Sequence, residues 1–272
     1  MKSRNGTSML IFFLALGCFI VTAWFWMQHQ HPAEHRTVID YQVEEEFEIA
    51  SEEPKLQRCG DFACFSAKDF LALFSSFERE HGLSYYDVPI YELPEVDTYL
   101  RDFAEARGYH RRGFADEEGI VWFENIRTLP EIRDAYIAMR NAMQKQGIRL
   151  HFVSAYRSAS DQRRIFTDKA NLTNPRTILD GSQDTNLDAI FAVSALPGYS
   201  KHHTGYAVDF GCGNDYLVYS FADTNCYAWL SANNFENAKR YGFIPSYPEG
   251  AENQGPDPEP WEFVWVGSDL LK

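Results

Sequence analysis

Positive charge is scarce in this sequence. Its 272 residues hold 25 Lys and Arg against 39 Asp and Glu, a formal net charge of −14 with a pI near 5.0. A protein that grips phosphates needs a basic surface. The composition therefore argues against nucleic acid as a partner and against a broad electrostatic hold on anionic lipid. Cysteine is also sparse, five in all, and no pair has the CxxC spacing of a zinc or redox motif. There are no internal repeats. What remains is 45% apolar, 15% aromatic and 24% charged, which is the balance of a globular chain long enough for one large domain or two small ones.

The first 27 residues stand apart. Lys2 and Arg4 precede Met9 to Met27, which contains no charge. At about 1.5 Å per residue this run spans roughly 28 Å, close to a bilayer's hydrocarbon core. Trp24 and Trp26 sit where an interfacial belt lies. The basic start predicts residues 1–8 in the cytoplasm, 9–27 as a transmembrane helix, and the remainder on the outer, periplasmic side. No small-x-small cleavage site ends the run, so an uncleaved single-pass anchor in the cytoplasmic membrane is expected. Four cysteines lie beyond it: Cys59, Cys64, Cys212 and Cys226. An even number in an oxidising compartment predicts disulfides, and proximity favours Cys59–Cys64 and Cys212–Cys226 among three pairings. Residues 28–58 carry eight acidic and three basic side chains, the pattern of a solvated, self-repelling tether.

From Cys59 the patterns become globular. Helices are predicted at Ser66–Arg79 with Ser66 as cap, at Val96–Arg107, and from Thr128 to Gln146 with Thr128 as cap. Further helices are predicted at Ser158–Lys169, 186–194 and 228–241, with strands at 149–155, 206–210 and 261–266. Helices outnumber short, scattered strands. The fold class is therefore α+β, a small, mainly antiparallel sheet flanked by helices. Residues 59–127 read as a helical N-terminal region and 128–272 as the core.

The informative stretch is Pro197 to Asp209, where His202 and Asp209 stand seven residues apart around Gly205. Imidazole and carboxylate are ordinary zinc ligands. Ser200, His202, Gly205, Ala207 and Asp209 fill the pattern SxHxxGxAxD, which resembles the signature of the VanY-like D-alanyl-D-alanine carboxypeptidases, zinc peptidases of the LAS type. Ser154-Ala155-Tyr156-Arg157-Ser158 with Gln162 is similar to a second family motif. Trp229-Leu230, Tyr241-Gly242-Phe243, Tyr247-Pro248 and Glu259-Pro260-Trp261 resemble later ones, in family order.

The resemblance implies roles. His202 and Asp209 are two of three Zn2+ ligands, Glu259 is the general base and Arg157 steadies charge on the scissile carbonyl. Ser158, Gln162 and Ser200 contact substrate. The implied activity is removal of terminal D-alanine from peptidoglycan stem peptides. A module that only binds wall peptides, and a structural partner of the cell-wall machinery docking through residues 66–146, are the rival readings. One departure stands out: the family's third ligand is the His of E-P-W-H, and here that position is Glu262. Glu can bind zinc. With two carboxylate ligands the loaded site is formally neutral instead of +1, and a poorer Lewis acid. His203 and His151 are the other imidazoles available.

Overall fold

A two-residue strand pair opens the computed structural model, which describes residues 57–251 and 253–272. The expected anchor at 9–27 lies outside these residues, and among the described ones no helix is long and apolar enough to cross a membrane. Strands β1 (Arg58–Cys59) and β2 (Phe62–Ala63) pair antiparallel and are joined by the Cys59–Cys64 disulfide. Helix α1 (Ala67–Glu80) begins where its sequence places it. Ser66 Oγ accepts the Asp69 N–H while the Asp69 carboxylate accepts the Ser66 N–H, a reciprocal cap. Its apolar face buries Phe70, Phe74 and Phe77. Helix α2 (Pro94–Ala106) follows, with Pro94 in its first turn.

The hairpin of β3 (Val121–Phe123) and β4 (Ile126–Thr128) was not predicted. It turns at Glu124 and Asn125, both with positive φ, in a two-residue loop that lacks the Gly usually signalling one. This hairpin overturns the expected cap of the next helix. Thr128 is the last residue of β4, so Leu129 is the N-cap of α3 (Pro130–Gln144) and no side chain caps it. Pro130 supplies the start instead, because its missing N–H costs nothing there.

Strand β5 (Leu150–Ser154), α4 (Ala159–Ala170) capped by Ser158, and α5 (Asp184–Phe191) follow. Next come β6 (Ala207–Cys212) and β7 (Asp215–Tyr216). Helix α6 (Asn225–Lys239) was expected to run unbroken, but it is interrupted at residues 232–235, where Asn233, Asn234 and Phe235 take positive φ. The break turns Asn234 onto the backbone of Phe65, whose N–H it accepts and whose carbonyl it meets with its amide, both at 2.8 Å. Strands β8 (Phe243–Pro245) and β9 (Glu262–Trp265) complete the chain's sheet.

The sheet has the order β5-β6-β9-β8, with β7 folded back on β6, and every pairing is antiparallel. The α+β expectation holds for the described residues. One hydrophobic core lies between the sheet and helices α1, α3 and α6. A second joins α2, α4 and α5 around Leu100, Phe166 and Phe191. Disulfide Cys212–Cys226 ties the end of β6 to the start of α6, so both expected pairings are present.

Candidate active site

The two central strands set the site. In the β6–β9 register Asp209 lies directly opposite Glu262, so the two carboxylates project from the same face of the sheet. Their neighbours Val208, Phe210 and Phe263 join the core. Just before β6 the chain makes a short 3₁₀ turn, Lys201–Thr204, that ends at Gly205 with φ +76°. A Cβ on Gly205 would meet Leu129 and Ala115 side-chain atoms at 3.1 and 3.3 Å, so glycine is needed both for the turn and for the space. The turn brings His202 back over the carboxylates.

His202 Nδ1 donates to the Ala155 carbonyl at 2.6 Å. That fixes the tautomer and leaves Nε2 free to bind a cation. Nε2 lies 3.3 Å from Asp209 Oδ2 and 3.4 Å from Glu262 Oε2. All three residues are buried, and their ligand atoms fall within 4.8 Å of one another. Atoms about 2.0–2.2 Å from one tetrahedral ion sit roughly 3.3–3.6 Å apart, so the donors suit zinc in kind and both distances from His202 match it. Asp209 Oδ1 is buried without a hydrogen-bond partner. Burial opposes a charged His202, yet Asp209 and Glu262 outweigh it and lift the imidazole to about 9. The pocket favours a cation, whether a proton or a metal ion.

Neither alternative imidazole belongs to this group. His203 Nδ1 donates to the Arg157 carbonyl at 2.7 Å and its Nε2 accepts the Gly198 N–H at 3.0 Å. Burial holds it down to about 4, so it is a neutral brace with no nitrogen to spare. His151, on β5, packs against the Tyr216 ring.

Glu259 and Arg157 both line the cleft that contains His202, Asp209 and Glu262, a cavity of about 390 Å³. Burial raises the Glu259 carboxyl above its ordinary range, and repulsion from Glu262 and Asp209 adds to this. Arg157 Nη1 donates to Gln162 Oε1 at 2.9 Å and Nη2 to Ser154 Oγ at 3.3 Å.

The three expected substrate contacts differ in their surroundings. Gln162 is buried, and its amide is committed to Arg157 on one side and the Ala195 carbonyl, at 2.7 Å, on the other. It holds the guanidinium in place. Ser158 Oγ accepts the Asp161 N–H and donates to the Asp161 carboxylate, capping α4. Of the three, only Ser200 lines the cleft.

One participant was missed. Lys201 is buried, and its Nζ lies 3.5 Å from Glu262 Oε1 and 3.6 Å from the centre of the Tyr247 ring. The amine also donates to Ser246 Oγ at 2.5 Å and to the Ser246 carbonyl at 3.2 Å. Ser246 Oγ in turn donates to Glu262 Oε1. Burial tends to raise Glu262, but Lys201, His202 and Ser246 together carry it well below the usual carboxylate range. The sequence held a signal, since a carboxylate replacing an imidazole in a buried site calls for a counter-charge, and Lys201 adjoins His202. Further cleft-lining cations come from outside the motifs. Arg112, paired with buried Glu78 at 2.6 Å, is one.

Residues 125–268 match the family model described as VanY, D-alanyl-D-alanine carboxypeptidase. The chain belongs to this family. Among curated VanY-like relatives, the Bacillus subtilis (strain 168) protein YodJ, named as a candidate carboxypeptidase, is 32% identical over 52% of this chain and 47% of its own length. The bifunctional D-Ala-D-Ala dipeptidase and carboxypeptidase VanXYC of Enterococcus gallinarum is 29% identical over 43% of this chain and 56% of its own. The chain thus spans about half the length of the curated relatives it matches. Among solved structures, the D,D-pentapeptidase VanY of a VanB-type resistance cassette, in complex with Zn(II), is similar over 59% of this chain and 87% of that one. Its identity is 24% and its TM-score 0.45.

Proposed function

We propose that this protein is a zinc-dependent carboxypeptidase that removes a terminal D-alanine from peptidoglycan stem peptides. One observation carries the reading. A buried His/Asp/Glu set whose ligand atoms lie within 4.8 Å of one another shares a cleft with a carboxyl of raised pKa and a guanidinium held from behind. What a zinc ion held by His202 Nε2, Asp209 and Glu262 supplies is Lewis acidity at the scissile carbonyl and at the attacking water. Glu259 accepts the water's proton and returns it to the departing D-alanine nitrogen. Its raised pKa brings it nearer the working pH, which suits both transfers. Arg157, fixed by Gln162 and Ser154, meets the negative charge that develops on the carbonyl oxygen. A module that only binds wall peptides has no use for a buried base.

We place this activity outside the cytoplasm, with residues 9–27 as the membrane anchor and 28–56 as a tether of up to about 100 Å when extended; the tether expected over 28–58 ends earlier because Arg58 is already in β1. Both disulfides agree with an oxidising compartment.

The test is hydrolysis of defined muropeptides by the purified full-length chain, read by product mass, beside its zinc content. Wild type is expected to bind one zinc and release D-alanine. Glu259→Gln is expected to keep the zinc and lose about 10²–10⁴-fold in rate. A zinc-loaded wild type that hydrolyses nothing, or a Glu259→Gln variant of unchanged rate, returns the protein to the wall-peptide-binding reading.

A further inference from the structure

The ligand set has an uncommon charge. One neutral imidazole with two carboxylates carries two negative charges, where the two-His, one-carboxylate sets of many zinc enzymes carry one. Burying the extra charge is costly unless it is paired and hydrogen-bonded. The amine of Lys201 is where such a partner must be. It is surrounded by Glu262 Oε1, both Ser246 oxygens and the face of Tyr247. The other carboxylate oxygen, Glu262 Oε2, is the one that faces His202 Nε2 at 3.4 Å.

We propose that Lys201 and Glu262 act together as the replacement for a third histidine. Lys201 is a positioning residue that cancels one ligand charge and, through Ser246, clamps Oε1 so that only Oε2 is presented to the metal. This rests on the zinc-site reading above. The consequence concerns charge. The site as built carries the same single negative charge as a His/Asp/His set, and the loaded site returns to +1. The apparent neutrality of the Glu-substituted site disappears once Lys201 is counted.

The arrangement predicts opposite signs for its two halves. Glu262→His leaves Lys201 unpaired beside the ion and should weaken zinc binding about tenfold or more. Lys201→Met removes a positive charge next to the ion while the Ser246 hydroxyl still holds Glu262 Oε1, and should tighten binding by a similar factor. The double variant should return to within about threefold of wild type, because its total charge is restored. A lysine that merely supports the fold gives another pattern, in which both single variants weaken binding and the double is weakest.

The measurement is zinc affinity of the purified full-length chain in chelator-buffered zinc, with thermal melts to confirm folding. Lys201→Gln, which can keep a hydrogen bond to Ser246, replaces Met if that variant does not fold. Opposite signs with a restored double support the pairing. Losses in both singles, or a double variant that stays tenfold or more from wild type, overturn it while leaving the zinc site intact. A wild-type chain that binds no zinc overturns the site reading itself, and the pairing with it.

Discussion

Lys201 and Lys239 are both buried, at 6% and 0% exposure. Both amines sit over aromatic rings, Tyr247 for one and Phe65 and Phe70 for the other. Burial pulls both down to about 8, opposed by Glu262 at Lys201 and by Glu236 at Lys239. Their hydrogen bonds separate them. Lys239 Nζ donates to the Ala63 carbonyl and to Asn234 Oδ1, both at 2.7 Å. Those acceptors are neutral, and they join the end of α6 to the disulfide-closed loop at the start of the fold. Lys201 reaches a carboxylate that faces the cleft. A buried lysine is therefore not in itself a sign of function. The charge of its partner, and what else that partner faces, decides.

The comparison is most easily broken at Lys239. Replacing it by Ala takes the amine donor from the Ala63 carbonyl, leaves Asn234 Oδ1 with the Phe65 N–H alone, and opens a void beneath two Phe rings. We expect a loss of about 3 kcal/mol or more, combining unpaired polar groups with lost packing. Zinc affinity of the folded protein should stay at the wild-type value. A Lys239→Ala protein of unchanged denaturant midpoint, or one with altered zinc affinity, would erase the distinction between the two lysines.

A smaller effect should follow from opening the loop that Lys239 holds. Cys59 and Cys64 enclose six residues, and a loop of that size contributes about 2 kcal/mol by constraining the unfolded chain. The double change Cys59→Ser with Cys64→Ser is expected to lower stability by that amount, again without moving zinc affinity. In a cycle with Lys239→Met the two losses should be less than additive, since the amine's partner Ala63 lies inside the loop. Strict additivity would show that the loop and the lysine act independently.

How much of this could be read from the sequence depends on the distance over which each feature is decided. The cap of α1 involves Ser66 and Asp69, three residues apart, and was legible. So were the His202–Asp209 spacing, the tight turn at Gly205 and both disulfides, whose cysteines are near neighbours in the chain. The break in α6 was not, because Asn234 leaves the helix for the backbone of Phe65, 169 positions away. Gln162 was expected to contact substrate because of the family resemblance, and its hydrogen bond to Arg157 is local. Its other partner, the Ala195 carbonyl, lies 33 residues on and appears only when α4 packs beside that segment. Thr128 looked like a cap because the strand it closes is three residues long and has no Gly in its turn. Glu262 was visible as a departure that called for a counter-charge, while only the folded turn before β6 brings Lys201 to it.

The finest test concerns what the two lysines share. Lys239 titrates near 8 in the folded protein and at 10.5 when unfolded. A cation whose folded pKa is depressed destabilises the native state below that pKa, where both states are charged. As pH rises from about 8 toward 10.5 the native state releases its proton first, so stability increases through this window. Other groups overlap it. His202, lifted to about 9, contributes stability that is lost over pH 6.5 to 9, and tyrosines with raised pKa values oppose the lysines above pH 10. The difference between wild type and Lys239→Met isolates one lysine from these. Urea melts between about pH 7.5 and 9.5 should show wild type gaining about 1–2 kcal/mol on the variant, close to one pH unit's worth of linkage. A difference that stays flat means that the Lys239 amine titrates near its ordinary value, and that the Ala63 carbonyl, Asn234 and the two rings solvate a buried cation as well as water does.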